Sequence, residues 1–215
     1  MLKPISTYCI NLERRIERKN HCIQQFAKKN EFNAKIVKAI EDKNGALGLW
    51  LTITNIIENL VAWDEPYILI CEDDHSFTKN YNKETLFTAI KEAEQKQADV
   101  LMGGVSWIGD ALQISKDLFW VDQFTGTQFV IVYRKFFNSL IQANFSVGDT
   151  ADRKIADLTA NKFFMFPFIS TQKEFGYSDA TAKNNINGYV DQIFSDTSQK
   201  LDHLIKVSSF YQIKL

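Results

Sequence analysis

Apolar runs and helical spacings alternate along the first half of the chain. Short apolar runs rich in β-branched and aromatic residues, which predict buried strands, occupy residues 5–12, 34–40, 67–71 and 98–104. Between these runs, apolar residues recur at helical spacing, most clearly from residue 49 to residue 61. Strands that alternate with helices predict an α/β fold with a mostly parallel mixed sheet flanked by helices. Continuous apolar strands agree with this prediction, because parallel strands are covered on both faces.

The second half of the chain mixes the two patterns. Strands are predicted at 118–122, at 127–133 and at 162–170, where Pro167 ends or edges the strand. Helices are predicted at 134–145 and 149–161, and the tail from Gly188 onward reads as a broken helix. The sequence contains no repeat, low-complexity tract or linker, so residues 1–215 are predicted to form a single domain.

Composition and charge narrow the class of protein. The chain of 215 residues is 45% hydrophobic and 24% charged, as in ordinary globular proteins. Its net charge of −1 argues against a nucleic-acid partner. Three widely spaced cysteines without a CxxC pair (Cys9, Cys22 and Cys71) predict buried thiols in a reducing compartment. No signal-peptide or membrane-spanning pattern is evident, which predicts a cytoplasmic protein and leaves a peripheral membrane contact open.

Three consecutive acids, Glu72, Asp73 and Asp74, follow the predicted strand 67–71. Two unit charges about 5 Å apart repel by roughly 3 kcal/mol at an effective dielectric constant near 20. Ligands of open α/β sheets bind beyond the carboxyl ends of the strands, and carboxylates are the ligands that Mg²⁺ and Mn²⁺ prefer. A surface turn or a helix cap would also accommodate adjacent acids, so the residues alone leave both interpretations open.

The order of motifs over roughly residues 5–182 resembles glycosyltransferase family 25, the bacterial lipooligosaccharide sugar transferases. The matching stretches are YCINLERRIERK (8–19), LICEDDHSF (69–77), GTQFVIVYRKFFNSLI (126–141), VGDTADRKIADL (147–158) and ISTQKEFGYSDA (169–180). Two features depart from the family pattern. GALGLWLTITN (45–55) lacks the usual Cys, Ser and His, and Glu72 opens the acidic motif where an aspartate is usual.

The resemblance implies a GT-A-like nucleotide-sugar-binding fold and a hexosyltransferase activity. The donor would be a UDP-sugar, with galactose favoured, and the acceptor a hydroxyl of a glycan or lipid-linked oligosaccharide. The transfer would invert the anomeric carbon, depend on Mn²⁺ or Mg²⁺, and serve cell-surface polysaccharide or lipopolysaccharide synthesis. A membrane-bound acceptor would place the protein at the inner face of the membrane.

The resemblance also implies roles for the residues near the donor. Asp74 would bind the metal ion, and Glu72 or Asp73 would complete the metal shell or hold the ribose. Asn11, Arg14 and Arg15 would lie near the nucleotide. The alternative for the two arginines is a solvated helix face, because glutamates are interleaved with them.

Inverting transfer needs a base that takes the proton of the acceptor hydroxyl. The candidates are Asp149, Asp152 and Asp179, and Asp152 aligns best with the acceptor segment of the family. Gln172 and Asp179 belong to the last matching stretch and would lie at the acceptor. Asp149 would otherwise cap a helix, and Asp152 would otherwise be a solvated acid in its first turn.

Two other functions compete with a transferase. A nucleotidyltransferase usually carries a glycine-rich basic loop after its first strand, and NLERR in this chain contains no glycine. A non-catalytic module that binds a nucleotide or sugar would tolerate the altered acidic motif. Trp107 and Tyr177 are candidate sugar-stacking surfaces in either case, with core packing as the alternative.

Overall fold

The computed structural model describes residues 3–177, 184 and 186–213. The helices in this part of the chain are α1 (Ile16–Phe26), α2 (Gly45–Asn59), α3 (Lys83–Gln95), α4 (Arg134–Gln142), α5 (Ala151–Leu158) and α6 (Tyr189–Phe210). The strands are β1 (Ile5–Asn11), β2 (Phe32–Lys38), β3 (Tyr67–Glu72), β4 (His75–Phe77), β5 (Val100–Met102), β6 (Trp107–Ile108), β7 (Ala111–Gln113), β8 (Leu118–Val121), β9 (Phe124–Thr125), β10 (Phe129–Tyr133), β11 (Lys162–Met165) and β12 (Ser170–Gln172).

Eight strands form one mixed sheet in the order β2-β1-β3-β10-β5-β11-β8-β7. The predicted α/β fold with a mixed sheet and flanking helices is confirmed. Parallel pairing covers less of the sheet than the sequence suggested, since the described strands make three parallel and four antiparallel pairings. The reason is β10, which lies antiparallel between β3 and β5.

The central strands β3, β5 and β10 are largely apolar because helices cover both faces of the sheet. Along β3, Ile68 and Ile70 pack into the core beneath α2, α4, α5 and α6, whereas Leu69 and Cys71 pack into the core beneath α1 and α3. This alternation follows from the two-residue period of a strand. The three cysteines are free and buried, as predicted.

The tail is not the broken helix that the sequence suggested, because α6 is one continuous helix of 22 residues. Its buried positions, Val190, Phe194, Thr197 and Leu201, recur every three or four residues on one face. The predicted strand 162–170 is divided into β11 and β12. None of the helices in the described residues is long and apolar enough to cross a membrane.

The ribbon of β4 and β12 packs closely against the end of β5. The carbonyl oxygen of Gly103 accepts hydrogen bonds from the backbone N–H groups of Ile169 and Ser170, at 2.8 and 3.1 Å. A Cβ atom on Gly104 would lie 2.0 Å from the carbonyl oxygen of Ser170, so only glycine permits this approach. The contact brings Gln172 next to the turn that follows β3.

Candidate functional site

A cleft of about 800 Å³ lies beyond the carboxyl ends of β1, β2 and β3. The segments after these strands, the start of α5 and the first turns of α6 form its walls. Of the predicted site residues, those that line it are Arg14, Arg15, Glu72, Asp73, Asp74, Asp152 and Gln172. Arg14 and Gln172, the first and last of these residues, are more than 150 positions apart in the sequence, and the fold brings them to one cleft.

Glu72 is the last residue of β3 and faces Thr127 of the segment before β10. The Thr127 hydroxyl donates a hydrogen bond to the Glu72 carboxylate. Burial and, after it, the negative charge of Asp74 raise the pKa of Glu72 to about 8. A carboxyl group with this pKa is a stronger base than a solvated glutamate, and a nearby cation would stabilise its charged form.

Asp73 is a buried anchor of the acidic turn. One of its carboxylate oxygens accepts a hydrogen bond from Asn11 Nδ2 at 2.8 Å, and the other accepts one from Arg18 Nη1 at 3.2 Å. Asn11 Nδ2 also donates to the carbonyl oxygen of Arg15, at 3.2 Å. Asn11 is therefore placed behind the acids, where it ties β1 to the turn, and it is not among the residues that line the cleft.

Asp74 carries the carboxylate oxygen best placed to take a ligand. Its Oδ2 accepts a hydrogen bond from Arg18 Nη1 at 3.3 Å, while its Oδ1 is buried without a hydrogen-bond partner among the described residues. Burial raises the pKa of Asp74 to about 6, with the Arg18 guanidinium opposing the rise and Asp73 adding to it. A buried oxygen without a partner costs free energy unless a ligand or cation satisfies it.

Arg18 is the residue that the sequence analysis missed. Its side chain is 5% exposed and bridges Asp73 and Asp74. The guanidinium also donates to the carbonyl oxygen of Tyr177 and lies 4.7 Å and 4.6 Å from the ring centres of Phe175 and Tyr177. Arg18 ends the INLERRIER stretch, three residues after Arg15 in α1, so a signal existed, but spacing alone does not show that it reaches the acids.

Arg14 and Arg15 both line the cleft, and each makes a contact of its own. Arg14 forms an exposed ion pair with Glu41, in the segment after β2. The Arg15 guanidinium lies 5.0 Å from the ring centre of Tyr177. Tyr177 is thus a partner of arginines and not part of the core.

The structure separates the two described candidates for the base. Asp152 lines the cleft from the first turn of α5, and its Oδ2 accepts a hydrogen bond from the backbone N–H of Gly126 at 3.0 Å. Its Oδ1 accepts hydrogen bonds from the Thr150 hydroxyl and from the backbone N–H of Arg153. Asp152 and Glu72 line the same cleft, and the Asp152 charge makes a small contribution to the raised pKa of Glu72.

Asp149 belongs to a local turn. Its Oδ2 accepts hydrogen bonds from the backbone N–H of Ser146 at 2.8 Å and from Lys154 Nζ at 3.0 Å. These partners lower the pKa of Asp149, the backbone bond being the larger cause. Asp149 does not line the cleft. Asp179 lies outside the described residues.

A metal ion fits this site only with help from a substrate. No group of three or more His, Cys, Asp or Glu residues is arranged to hold a metal ion in the described part of the chain. Mg²⁺, however, is usually bound by one or two carboxylates together with substrate phosphates and water. Asp74, through its unpartnered Oδ1, and Glu72 supply such a pair, because Asp73 is already bound to Asn11 and Arg18.

Comparison with known proteins supports the fold. Neither a protein-family model nor a curated protein matches the chain. The structure of A197 from STIV aligns with a TM-score of 0.54 at 12% identity, covering 81% of this chain and 87% of that chain. At this identity the likeness shows the fold alone.

Two further structures align with TM-scores below 0.5, which are too low to support a conclusion about fold or function. One is apo-UDP-glucose pyrophosphorylase, with a TM-score of 0.49 at 9% identity, covering 91% of this chain and 82% of that one. The other is a glycosyltransferase involved in the glycosylation of the major capsid of PBCV-1, with a TM-score of 0.48 at 8% identity, covering 89% and 98%. The fold and the site together define an α/β protein with an acidic ligand cleft at the carboxyl edge of a mixed sheet.

Proposed function

We propose that the protein is a GT-A-like glycosyltransferase related to family 25, with residues 1–215 as one domain. It would move a hexose, with galactose favoured, from a UDP-sugar to a glycan hydroxyl in cell-surface polysaccharide or lipopolysaccharide synthesis. The observation that carries the proposal is the cleft, which is lined by two acids of one turn, by two arginines and by a third acid: Glu72, Asp74, Arg14, Arg15 and Asp152. Its volume of about 800 Å³ suits a nucleotide sugar.

The donor would occupy the part of the cleft next to β1 and β3. Guanidinium groups bind phosphate oxygens through paired N–H donors, and Arg14 and Arg15 both line this part. Asp74 and Glu72 would hold Mn²⁺ or Mg²⁺ through carboxylate oxygens. The ion supplies a positive charge that stabilises the departing diphosphate. Asp73 supports this pair by fixing Arg18 and Asn11.

In the proposed reaction, the acceptor hydroxyl oxygen forms a bond to the anomeric carbon as the bond from that carbon to the diphosphate oxygen breaks. The diphosphate leaves with the bonding electron pair, and the hydroxyl proton passes to a carboxylate oxygen of Asp152. The N–H of Gly126 and the Thr150 hydroxyl hold Asp152 in one orientation. Attack from the face opposite the diphosphate inverts the anomeric carbon. Gln172, which lines the cleft, would contact the sugar, and Asp179 stays a candidate acceptor contact.

The acceptor would be a glycan or a lipid-linked oligosaccharide at the inner face of the membrane. The end of α6 is compatible with a peripheral contact, because Phe210 and Tyr211 are 78% and 69% exposed there. Aromatic side chains of this kind favour the interface between membrane and water.

A second candidate is a non-catalytic module that binds a nucleotide sugar. The observation that favours it is the state of Asp152, whose carboxylate already accepts three hydrogen bonds. These bonds occupy lone pairs of the carboxylate that a base would offer to the acceptor hydroxyl. The two candidates differ in turnover and agree on donor binding.

The experiment that tests the proposal measures UDP release from UDP-galactose, UDP-glucose and UDP-N-acetylglucosamine with Mn²⁺ and simple glycoside acceptors present, methyl β-D-glucoside and methyl β-D-glucuronide among them. We expect release from one of these donors, and a loss of about 10²-fold or more in Asp74→Ala, because the charge on the departing diphosphate is then less well stabilised. A donor that binds without any release would favour the non-catalytic module. Release that Asp74→Ala leaves unchanged would contradict the proposed metal site.

A further inference from the structure

Arg153 follows the proposed base in the sequence, and its side chain has no role in the reaction proposed above. It lies in the first turns of α5, directly after Asp152, and lines the cleft. Its guanidinium carbon lies 4.3 Å from the ring centre of Trp107 in β6. Its Nη1 donates a hydrogen bond to Gln123 Oε1 at 3.3 Å.

The charge of Arg153 has no carboxylate partner among the described residues. The ion pairs found there join other cations, such as Arg18 with Asp73 and Lys154 with Asp149. The neighbouring Asp152 carboxylate is bound to Gly126, Thr150 and the backbone N–H of Arg153, and not to the Arg153 guanidinium. A half-buried guanidinium that meets only a neutral amide and an aromatic ring retains donors for an anion.

Trp107 gives this position a surface on which a sugar ring can stack. The residue is 45% exposed beside the cleft, and the Arg153 guanidinium carbon lies over its ring, a cation–π contact that restrains the guanidinium. Hydroxyl groups adjoin it: Ser106 and Thr125 line the cleft, and their side-chain oxygens are 2.9 Å apart. An apolar ring face beside hydroxyls and a cation suits a charged saccharide.

We infer that Arg153 and Trp107 form an acceptor subsite that selects a saccharide carrying an anionic group, either a carboxylate or a phosphate. The inference rests on the proposed function. The acceptor hydroxyl must reach Asp152, and Arg153 lines the same cleft, so an anionic group elsewhere on that acceptor falls within its reach. The donor diphosphate has its own cations in Arg14 and Arg15, which follow β1.

The test measures binding of three probes by calorimetry with UDP and Mn²⁺ present. The probes are methyl β-D-glucuronide, glucose 6-phosphate and the neutral methyl β-D-glucoside. We expect at least one anionic probe to bind about tenfold more tightly than the neutral one, because one charge-assisted hydrogen bond can produce a difference in affinity of this size. The better of the two anionic probes identifies the group as carboxylate or phosphate.

Arg153→Gln should reduce this ratio to about one and leave UDP binding unchanged. Lys154→Gln is the matched control, since it removes the adjacent positive charge outside the cleft and should keep the ratio. Three results would overturn the inference: no preference for an anionic probe, a preference that survives Arg153→Gln, or a loss of UDP affinity in Arg153→Gln. Failure of the wild-type protein to bind UDP would instead count against the proposed function, and the probe preference can be measured without nucleotide.

Discussion

Replacing Arg18 by methionine is expected to lower the free energy of unfolding by about 3–5 kcal/mol. The guanidinium is almost fully buried and bridges Asp73 and Asp74, so its removal leaves buried carboxylates without their counter-charge. Methionine keeps the length and the helix propensity of the side chain, which isolates the loss of charge and hydrogen bonds. Urea unfolding at pH 8 measures the difference.

Lys19→Met is the matched control for Arg18. Lys19 is the next residue of α1 and is exposed, so the same change of charge there should alter stability by no more than about 0.5 kcal/mol. The cost of Arg18→Met should also shrink at pH 5. Loss of the guanidinium removes the effect that opposes the raised pKa of Asp74, so that carboxyl is neutral at pH 5 and needs no partner. A cost below about 1 kcal/mol at pH 8 would show that Arg18 does not stabilise the acidic turn.

Replacing Asp152 by asparagine is expected to lower kcat by about 10²–10⁴-fold, the contribution typical of general base catalysis. Asparagine keeps a side-chain oxygen that can accept the hydrogen bond from the Gly126 N–H, so the turn at Gly126 and the affinity for UDP should be preserved. Steady-state kinetics with the donor identified by UDP release, together with a UDP titration, measure both quantities.

Asp157→Asn is the control for Asp152→Asn. Asp157 lies on the same helix, is exposed, and accepts a hydrogen bond from Gln123 Nε2 at 2.8 Å outside the cleft. Its replacement should leave kcat within about twofold of the wild-type value, since surface substitutions of this kind are nearly neutral. If kcat of Asp152→Asn also stays within that range, the base is another group.

The sequence predicts those features that depend on periodicity and chain direction. Residues 67–71 are apolar at every position because β3 is covered on both faces, and the acids follow because a parallel strand ends at the ligand edge. The clustering of Arg14, Arg15 and Glu72 at that edge follows from the same direction of β1 and β3.

Contacts across the fold were not predictable from the sequence. Thr127 meets Glu72 only because β10 inserts antiparallel beside β3, and a single sequence gives no sign of that insertion. The bond from Arg18 to the acids joins residues 55 and 56 positions apart. The resemblance implies that Asn11 lies near the nucleotide, which stays a prediction, but it gives no sign of the bond from the Asn11 amide to Asp73.

The most direct test of the donor site is a thermal shift with UDP, measured with and without Mn²⁺. UDP at about 100 times its Kd adds roughly 2.7 kcal/mol of stability, which raises Tm by about 5–10 °C for a chain of this size. We predict that the wild-type protein shows this rise only with both UDP and Mn²⁺, and that Asp74→Ala abolishes it. No rise with UDP, or an equal rise in Asp74→Ala and in the absence of metal, would contradict the assignment of the acidic turn to a metal-bound nucleotide sugar.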